Sequence, residues 1–526
     1  LKKILLIQPK SAETFWKLTG VVKHLQKSLI PPLSLATIAA LTPPSYSVSI
    51  MDEELDPIDF DTPCDLVGIT GFTNHSGRMF EIAEQFRRRG ILTVAGGSFV
   101  TAHSRECAGA FDVLICGESE KIWPQFLADW ETGSHQSYYM ENEKPDLAHS
   151  PAPRWDLLDL NRYVLSSVQT SRGCPFDCEF CDVVALFGHR MRYKPIEHII
   201  AEIRVLERTS INSIFFADDN FIGDKRYARN LLKRIIEFNQ TLEKPLRFVT
   251  QLTLNISQDE ELLDLLKQAN FFAVFIGIET PKRESLVETN KRSNLFMDMR
   301  EAIRQIQSRG IYIISGLMVG FDSDDLDTFA LQKEFLIQTG LCAPMPATLK
   351  APKGTKLWDR MEKENRLIEK SNETFADYEV NFFPKNMTPL ELEENYLSLF
   401  QEVYGFKHFL MGLNTIIQNL DPEQIAHPSP LSMKNRARSR RQQLLELQLV
   451  IYYFVISGGA PRRAFFFSAL RLSIKRGLAG LNLLQELLII FISQNTYIGH
   501  LLEQRGEIQI SMKPTPNLAP VAESLK

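Results

Sequence analysis

Three cysteines, Cys174, Cys178 and Cys181, stand in a C-x-x-x-C-x-x-C spacing within T-S-R-G-C-P-F-D-C-E-F-C. They occupy a loop that opens with Arg172-Gly173 and follows an apolar run over 163–168. Thiolates are the ligands iron–sulfur clusters prefer, and a cubic four-iron cluster needs one ligand per iron. Three thiolates this close together leave one iron without a protein ligand, and an open iron is a place for chemistry. A four-cysteine site is closed and suits structure or electron transfer. The competing readings are a zinc knuckle, for which His189 is the nearby fourth ligand, and three unrelated thiols.

With Phe180 before the last cysteine, the stretch resembles the signature of the radical S-adenosylmethionine (SAM) superfamily. The resemblance implies a [4Fe-4S] cluster on Cys174, Cys178 and Cys181, SAM chelated at the open iron, and its reductive cleavage to a 5′-deoxyadenosyl radical.

The chain of 526 residues exceeds a single core, so three domains are expected. Apolar residues make up 44% and charged residues 23%, as in ordinary globular proteins, and the net charge of −5 offers no global field for nucleic acid. An odd seven cysteines, three of them clustered, argue against a disulfide framework and for a reducing cytoplasm. Cys64, Cys107, Cys116 and Cys342, in apolar or small-residue contexts, read as core or bystander residues. The apolar start over 1–7 is too short for a signal peptide and reads as a buried strand. No apolar run reaches the ~18 residues a membrane span needs.

Over 1–145, strands at 2–7, 47–52, 65–70, 91–95 and 113–116 alternate with helices at 33–41 and 78–89. The pattern predicts a doubly wound (Rossmann-like) parallel sheet, which binds ligands beyond the carboxyl ends of its strands. Three turns fall on that edge: Thr70-Gly71-Phe72-Thr73-Asn74, Gly96-Gly97-Ser98 and Gly117-Glu118. Taken alone, Gly-Gly after a strand is as well explained by a tight turn. With P-P-L-S-L before it and G-E-S-E after it, the region is similar to the cobalamin-binding domains that precede many radical SAM domains, which implies cobalamin on those turns. The D-x-H-x-x-G string that places histidine on cobalt is absent, and His75 and His103 read as packing or surface residues. Base-off cobalamin without a histidine ligand is expected, its lower face covered by the 71–74 loop. Residues 132–162 have linker composition, and 146–162 is taken as the linker.

Six strand–helix units follow over 163–385, with strands at 213–217, 247–251, 273–278, 311–319 and 346–350 after the cysteine loop. This is the pattern of a partial (β/α)6 barrel with chemistry at the carboxyl ends of its strands. By resemblance, Gly277, Glu279 and Thr280 receive the SAM amino group, Ser315 and Met318 lie along adenine, and Phe180 and Asp219 sit near SAM. A strand ending in Asp or Glu is equally a helix cap. The basic run 190–195 reads either as a solvated loop or as a dock for a flavodoxin- or ferredoxin-type electron donor.

Residues 386–526 read as a helical domain, with helices at 389–404, 438–456, 462–475 and 483–492 and a Pro-rich, disordered end over 513–526. The aromatic runs 452–454 and 465–467 and the apolar 487–492 suit core packing, or a greasy lid or peripheral membrane contact beside the basic run 436–441.

The strings S-R-G-C-P-F-D-C-E-F-C-D, F-G-H-R-x-R, A-D-D-N-F-I-G and F-I-G-I-E-T-P resemble a branch of cobalamin-dependent radical SAM proteins that includes the hopanoid C-2 methylase. The implied activity is methyl transfer to an unactivated carbon of a small molecule or lipid. A radical cyclase using the same cofactors is the alternative. A methylthiotransferase would need a second three-cysteine cluster, and a cobalamin sensor would leave the cysteines unexplained.

Overall fold

In the computed structural model the described residues are 1–14, 17, 22, 25, 27–209, 211–368, 378–421 and 440–504. The expected basic run 436–441 falls largely, and the Pro-rich end wholly, outside them.

The first sheet is built from β1 (Lys2–Gln8), β2 (Tyr46–Asp52), β3 (Leu66–Thr70), β4 (Leu92–Gly96), β5 (Val113–Cys116) and β6 (Tyr138–Met140). They pair in the order β2-β1-β3-β4-β5-β6, every pair parallel. The alternation of a strand settles which helix each residue meets. Leu5 and Ile7 pack with Met79, Ile82 and Phe86 of the helix Ser76–Arg88. Ile4 and Leu6 pack on the other face with Leu35 and Ala39 of the helix Leu33–Leu41 and with Ile122, Trp123 and Phe126 of the helix Ser119–Glu131. Both faces are covered, so the central strands β1, β3 and β5 read as near-continuous apolar runs. β6 corrects the expectation for 132–162: only Tyr139 of this exposed edge strand turns inward, so its three residues read as polar linker.

A second parallel sheet takes its strands in sequence order: β7 (Ser166–Val168), β10 (Ser213–Phe216), β11 (Arg247–Leu252), β12 (Phe271–Glu279), β13 (Tyr312–Val319) and β14 (Ala343–Thr348). Helices separate them, including Ile196–Glu207, Lys225–Gln240, Glu260–Gln268, Met299–Ser308 and Leu326–Thr339, and Lys356–Lys363 follows β14. The order is that of a barrel left open between β7 and β14. Between β7 and β10, the short strands β8 (Ser171–Arg172) and β9 (Arg192–Tyr193) pair antiparallel and close the base of the cysteine loop.

β14 starts three residues before its expected position because Pro344 and Pro346 lie inside it. Proline is tolerated on an edge strand, where its missing N–H faces away from the ladder. The carbonyls on that outer side are taken by buried tyrosines: Tyr404 Oη donates to Pro344 O at 2.7 Å and Tyr396 Oη to Pro346 O at 3.1 Å. Tyr396 belongs to the helix Pro389–Val403, so the helical region seals one open edge of the sheet.

That region also contains Phe406–Asn419, an unexpected helix, and Gly477–Gln504, much longer than the expected 483–492. Gly412 lets Phe406–Asn419 approach β14, since a Cβ there would lie 3.1 Å from Cys342 Sγ. Phe409, Phe454, Phe465 and Phe491 are buried against one another, with ring centroids 4.9–5.9 Å apart. Phe454 and Phe465 of the aromatic runs therefore supply core, whereas Phe467 is exposed. Among the described residues no helix is long and apolar enough to cross a membrane.

Candidate active site

The cysteine loop is held by the residues that follow β10. Asp218 is buried and accepts the N–H of Thr170 at 2.7 Å, the N–H of Ser171 at 3.0 Å and the Thr170 hydroxyl. Burial raises its pKa to about 6 against these hydrogen bonds. Asp219 Oδ2 accepts the Gly173 N–H at 3.1 Å. Gly173 has φ +96, and a Cβ there would meet Gly188 O at 2.9 Å and Arg190 O at 3.0 Å. The Asp-Asp pair thus anchors the start of the loop, a role its acidity alone does not announce.

Cys174, Cys178 and Cys181 are half-buried free thiols. Burial raises the pKa of each, Cys181 to about 12, while the nearby Lys291 charge favours thiolate. Among the described residues no group of three or more His, Cys, Asp or Glu side chains is arranged to hold a metal ion, and His189 Nε2 lies 3.6 Å from Asp177 Oδ1. Three thiols presented from one loop are the donor set a cluster takes.

Lys291 was not anticipated from the sequence. Its Nζ lies 2.5 Å from Glu279 Oε1 and 6.0 Å from the Phe180 ring centroid. Burial opposes the charge on Lys291, but Glu279 and the cysteine sulfurs outweigh it and hold its pKa above the ordinary lysine value. Glu279 has φ +63, and a Cβ on Gly277 would fall 2.2 Å from Glu279 Oε1 and 2.9 Å from Lys291 Nζ, so a side chain at 277 would displace this ion pair. The Thr280 hydroxyl accepts the Lys282 N–H at 3.1 Å. Phe180 and Met318 share an apolar cluster with Phe321, and the Ser315 hydroxyl is buried without a partner. Phe180, Gly277 and Glu279 thus meet around Lys291, and Asp219, beside Gly173, also lies on the wall of a large cavity.

That cavity, about 1210 Å³, joins the carboxyl ends of the two sheets. On the first sheet it is lined by Thr70, Gly71, Phe72, Asn74, Gly96, Gly97, Ser98, Gly117 and Glu118, so every residue expected on those turns except Thr73. On the second sheet it is lined by Ser167, Gln169, Phe215, Ala217 and Gln251. Leu29, Ile30, Leu33, Ile38 and Leu41 add an apolar wall. Gly97, at φ +99, brings bare backbone to the surface, and a Cβ there would lie 2.5 Å from Thr70 Oγ1. The wide glycine-lined floor and the partnerless Ser167 hydroxyl fit a large, flat, polar-edged cofactor such as a corrinoid.

His75 also lines the cavity, with Nδ1 3.1 Å from the Phe72 N–H and Nε2 3.1 Å from the Gln8 side-chain amide. Burial lowers its pKa to about 4. His103 stacks on Phe99 at 4.8 Å.

Glu118 faces the second sheet. Its carboxylate takes Arg172 Nη1 at 2.5 Å and Arg192 Nη2 at 2.6 Å, and Glu120 takes Arg172 Nη2 at 2.7 Å. Lys194 Nζ pairs with buried Glu202 at 2.7 Å. Two cations of the basic run 190–195 are therefore spent inside the molecule and form no docking patch.

Residues 168–331 match the radical SAM superfamily, and residues 355–509 match a domain of unknown function, DUF4070. The chain is 35% identical over 414 residues to an uncharacterized methyltransferase of Synechocystis sp., covering 76% of each protein. It is 31% identical over 384 residues to the hopanoid C-2 methylase of Rhodopseudomonas palustris, covering 70% of this chain and 72% of that protein. The fold is similar to that of OxsB, a cobalamin-dependent SAM radical enzyme, with a TM-score of 0.60 at 14% identity over 96% of this chain and 80% of that one. It is also similar to the radical SAM methyltransferase TsrM of Kitasatospora setae, with a TM-score of 0.57 at 17% identity over 75% and 83%.

Fold, cysteine loop and relatives define a radical SAM enzyme. The chain belongs to the cobalamin-dependent radical SAM methyltransferase family that includes the hopanoid C-2 methylase. As a radical SAM enzyme it uses a [4Fe-4S] cluster and SAM, and the OxsB structure it resembles holds cobalamin as well as SAM.

Proposed function

We infer that this protein methylates an unactivated carbon of an apolar small molecule or lipid, a hopanoid-like polycycle among the candidates. The observation that carries this reading is the single cavity shared by the two sheets, polar and glycine-lined at one end and walled by aliphatic side chains along 29–41.

Bound together, the cofactors supply hydrogen abstraction from carbon and a methyl donor. Cys174, Cys178 and Cys181 hold the cluster. Glu279 meets Lys291 through Oε1 only, and this reading gives its Oε2 to the SAM ammonium. Phe180 and Met318 flank SAM from the apolar cluster they share, with the unpartnered Ser315 hydroxyl beside them. Thr70, Gly71, Gly96, Gly97, Ser98 and Gly117 would form the corrinoid seat, beside which both ring nitrogens of His75 are engaged by Phe72 and Gln8. The aliphatic wall excludes water from the place where a carbon radical must survive long enough to be methylated. The reading places the enzyme in a reducing cytoplasm, with a flavodoxin- or ferredoxin-type protein as reductant.

Anaerobic protein reconstituted with cluster and cobalamin, given lipid extract and deuterated-methyl SAM, tests this. The expected result is a lipid product carrying the labelled methyl, with S-adenosylhomocysteine and 5′-deoxyadenosine formed together. A product altered without label would make the enzyme a cyclase.

A further inference from the structure

The helix Ala460–Ile474 presents two different faces. Phe465, Ala469 and Ser473 point inward. The outward stripe carries Phe467 at 56% exposure and Ile474 at 57%, with Ile456, at 65%, ending the short helical segment Tyr452–Ile456 that precedes it. Arg463, Arg471 and Lys475 are exposed on the same stripe. From Leu447 to Gln485 the sequence contains no Asp or Glu, although the whole chain is acidic at −5. Large exposed apolar side chains rimmed only by cations are uncommon on a surface that faces water alone.

We propose that this stripe docks the enzyme on an anionic lipid bilayer. Phe467, Ile474 and Ile456 enter the boundary between headgroups and acyl chains, and Arg471 and Lys475 meet lipid phosphates, the arrangement of an interfacial helix. A nucleic-acid partner would use the same cations but has no use for isolated aliphatic tips such as Ile456 and Ile474. A second copy of a chain with net negative charge offers no comparable field. The proposal does not depend on which carbon is methylated.

The test is flotation of the reconstituted full chain with vesicles of phosphatidylcholine alone or mixed with phosphatidylglycerol. Binding is expected only to the anionic vesicles, weakening as salt rises because the charges are exposed. Reversal of two surface cations in R471E/K475E should weaken it roughly tenfold or more, and F467S/I474S should weaken it at unchanged salt dependence. Both variants should keep the parent's thermal midpoint and cluster absorbance, which separates lost docking from lost folding. Equal binding to neutral vesicles, no binding to either, or variants that float like the parent would overturn the proposal. So would loss of self-association rather than of flotation in F467S/I474S.

Discussion

Glu118 closes the β5 turn with a carboxylate shared by two guanidiniums, one of which stands two residues before Cys174. Removing Glu118 leaves the largely buried Arg192 guanidinium without a carboxylate, while Arg172 keeps Glu120. E118A should therefore cost about 3–5 kcal/mol, measured by urea unfolding of the anaerobic protein. C174A should lower iron content and abolish 5′-deoxyadenosine formation while cobalamin stays bound, because the corrinoid seat is on the other sheet. His75 gives a pH signature. Its pKa falls from the ordinary 6.5 to about 4 on burial, so the unfolded chain takes up a proton that the folded chain refuses. This contribution to stability is whole above pH 6.5 and is lost as pH falls toward 4, about 3 kcal/mol in all. Stability of H75Q should fall less over that window. The cysteine spacing was legible because three ligands on one loop need only local chain. Lys291 was not, because its meaning comes from Glu279, on a different element.

At the scale of elements, β14 shows why an edge strand is hard to read. Its prolines argue against a strand until the sealing tyrosines are seen. Y404F leaves the buried Pro344 carbonyl without a donor and should cost about 1–3 kcal/mol in thermal or urea unfolding. Most other helices followed their apolar period, as in Lys225–Gln240 and Glu260–Gln268, because those faces are buried locally. G97A should lower cobalamin retention after reconstitution without shifting iron content, since its Cβ would press on Thr70 in the floor of the cavity.

Across the whole molecule the boundary near residue 145 is not a clean seam. Arg154 N donates to Ala36 O at 2.9 Å, Val164 N to Ser28 O at 3.0 Å, and Tyr163 Oη to buried Asp52 at 3.0 Å. Leu25 and Ala36 share a core with Trp155, Leu160 and Tyr163. A fragment ending at 145 should thus unfold at lower urea concentration than one ending at 165. Residue order alone settled the two parallel sheets, the three thiols and the glycine turns, since each depends on short-range period or spacing. Which groups meet across the cavity, namely Glu118 with Arg172, the tyrosines with β14 and the two sheets' carboxyl ends with each other, was decided by tertiary packing. Those pairs lie far apart in the chain, and no local preference encodes a contact whose energy exists only after both elements are in place.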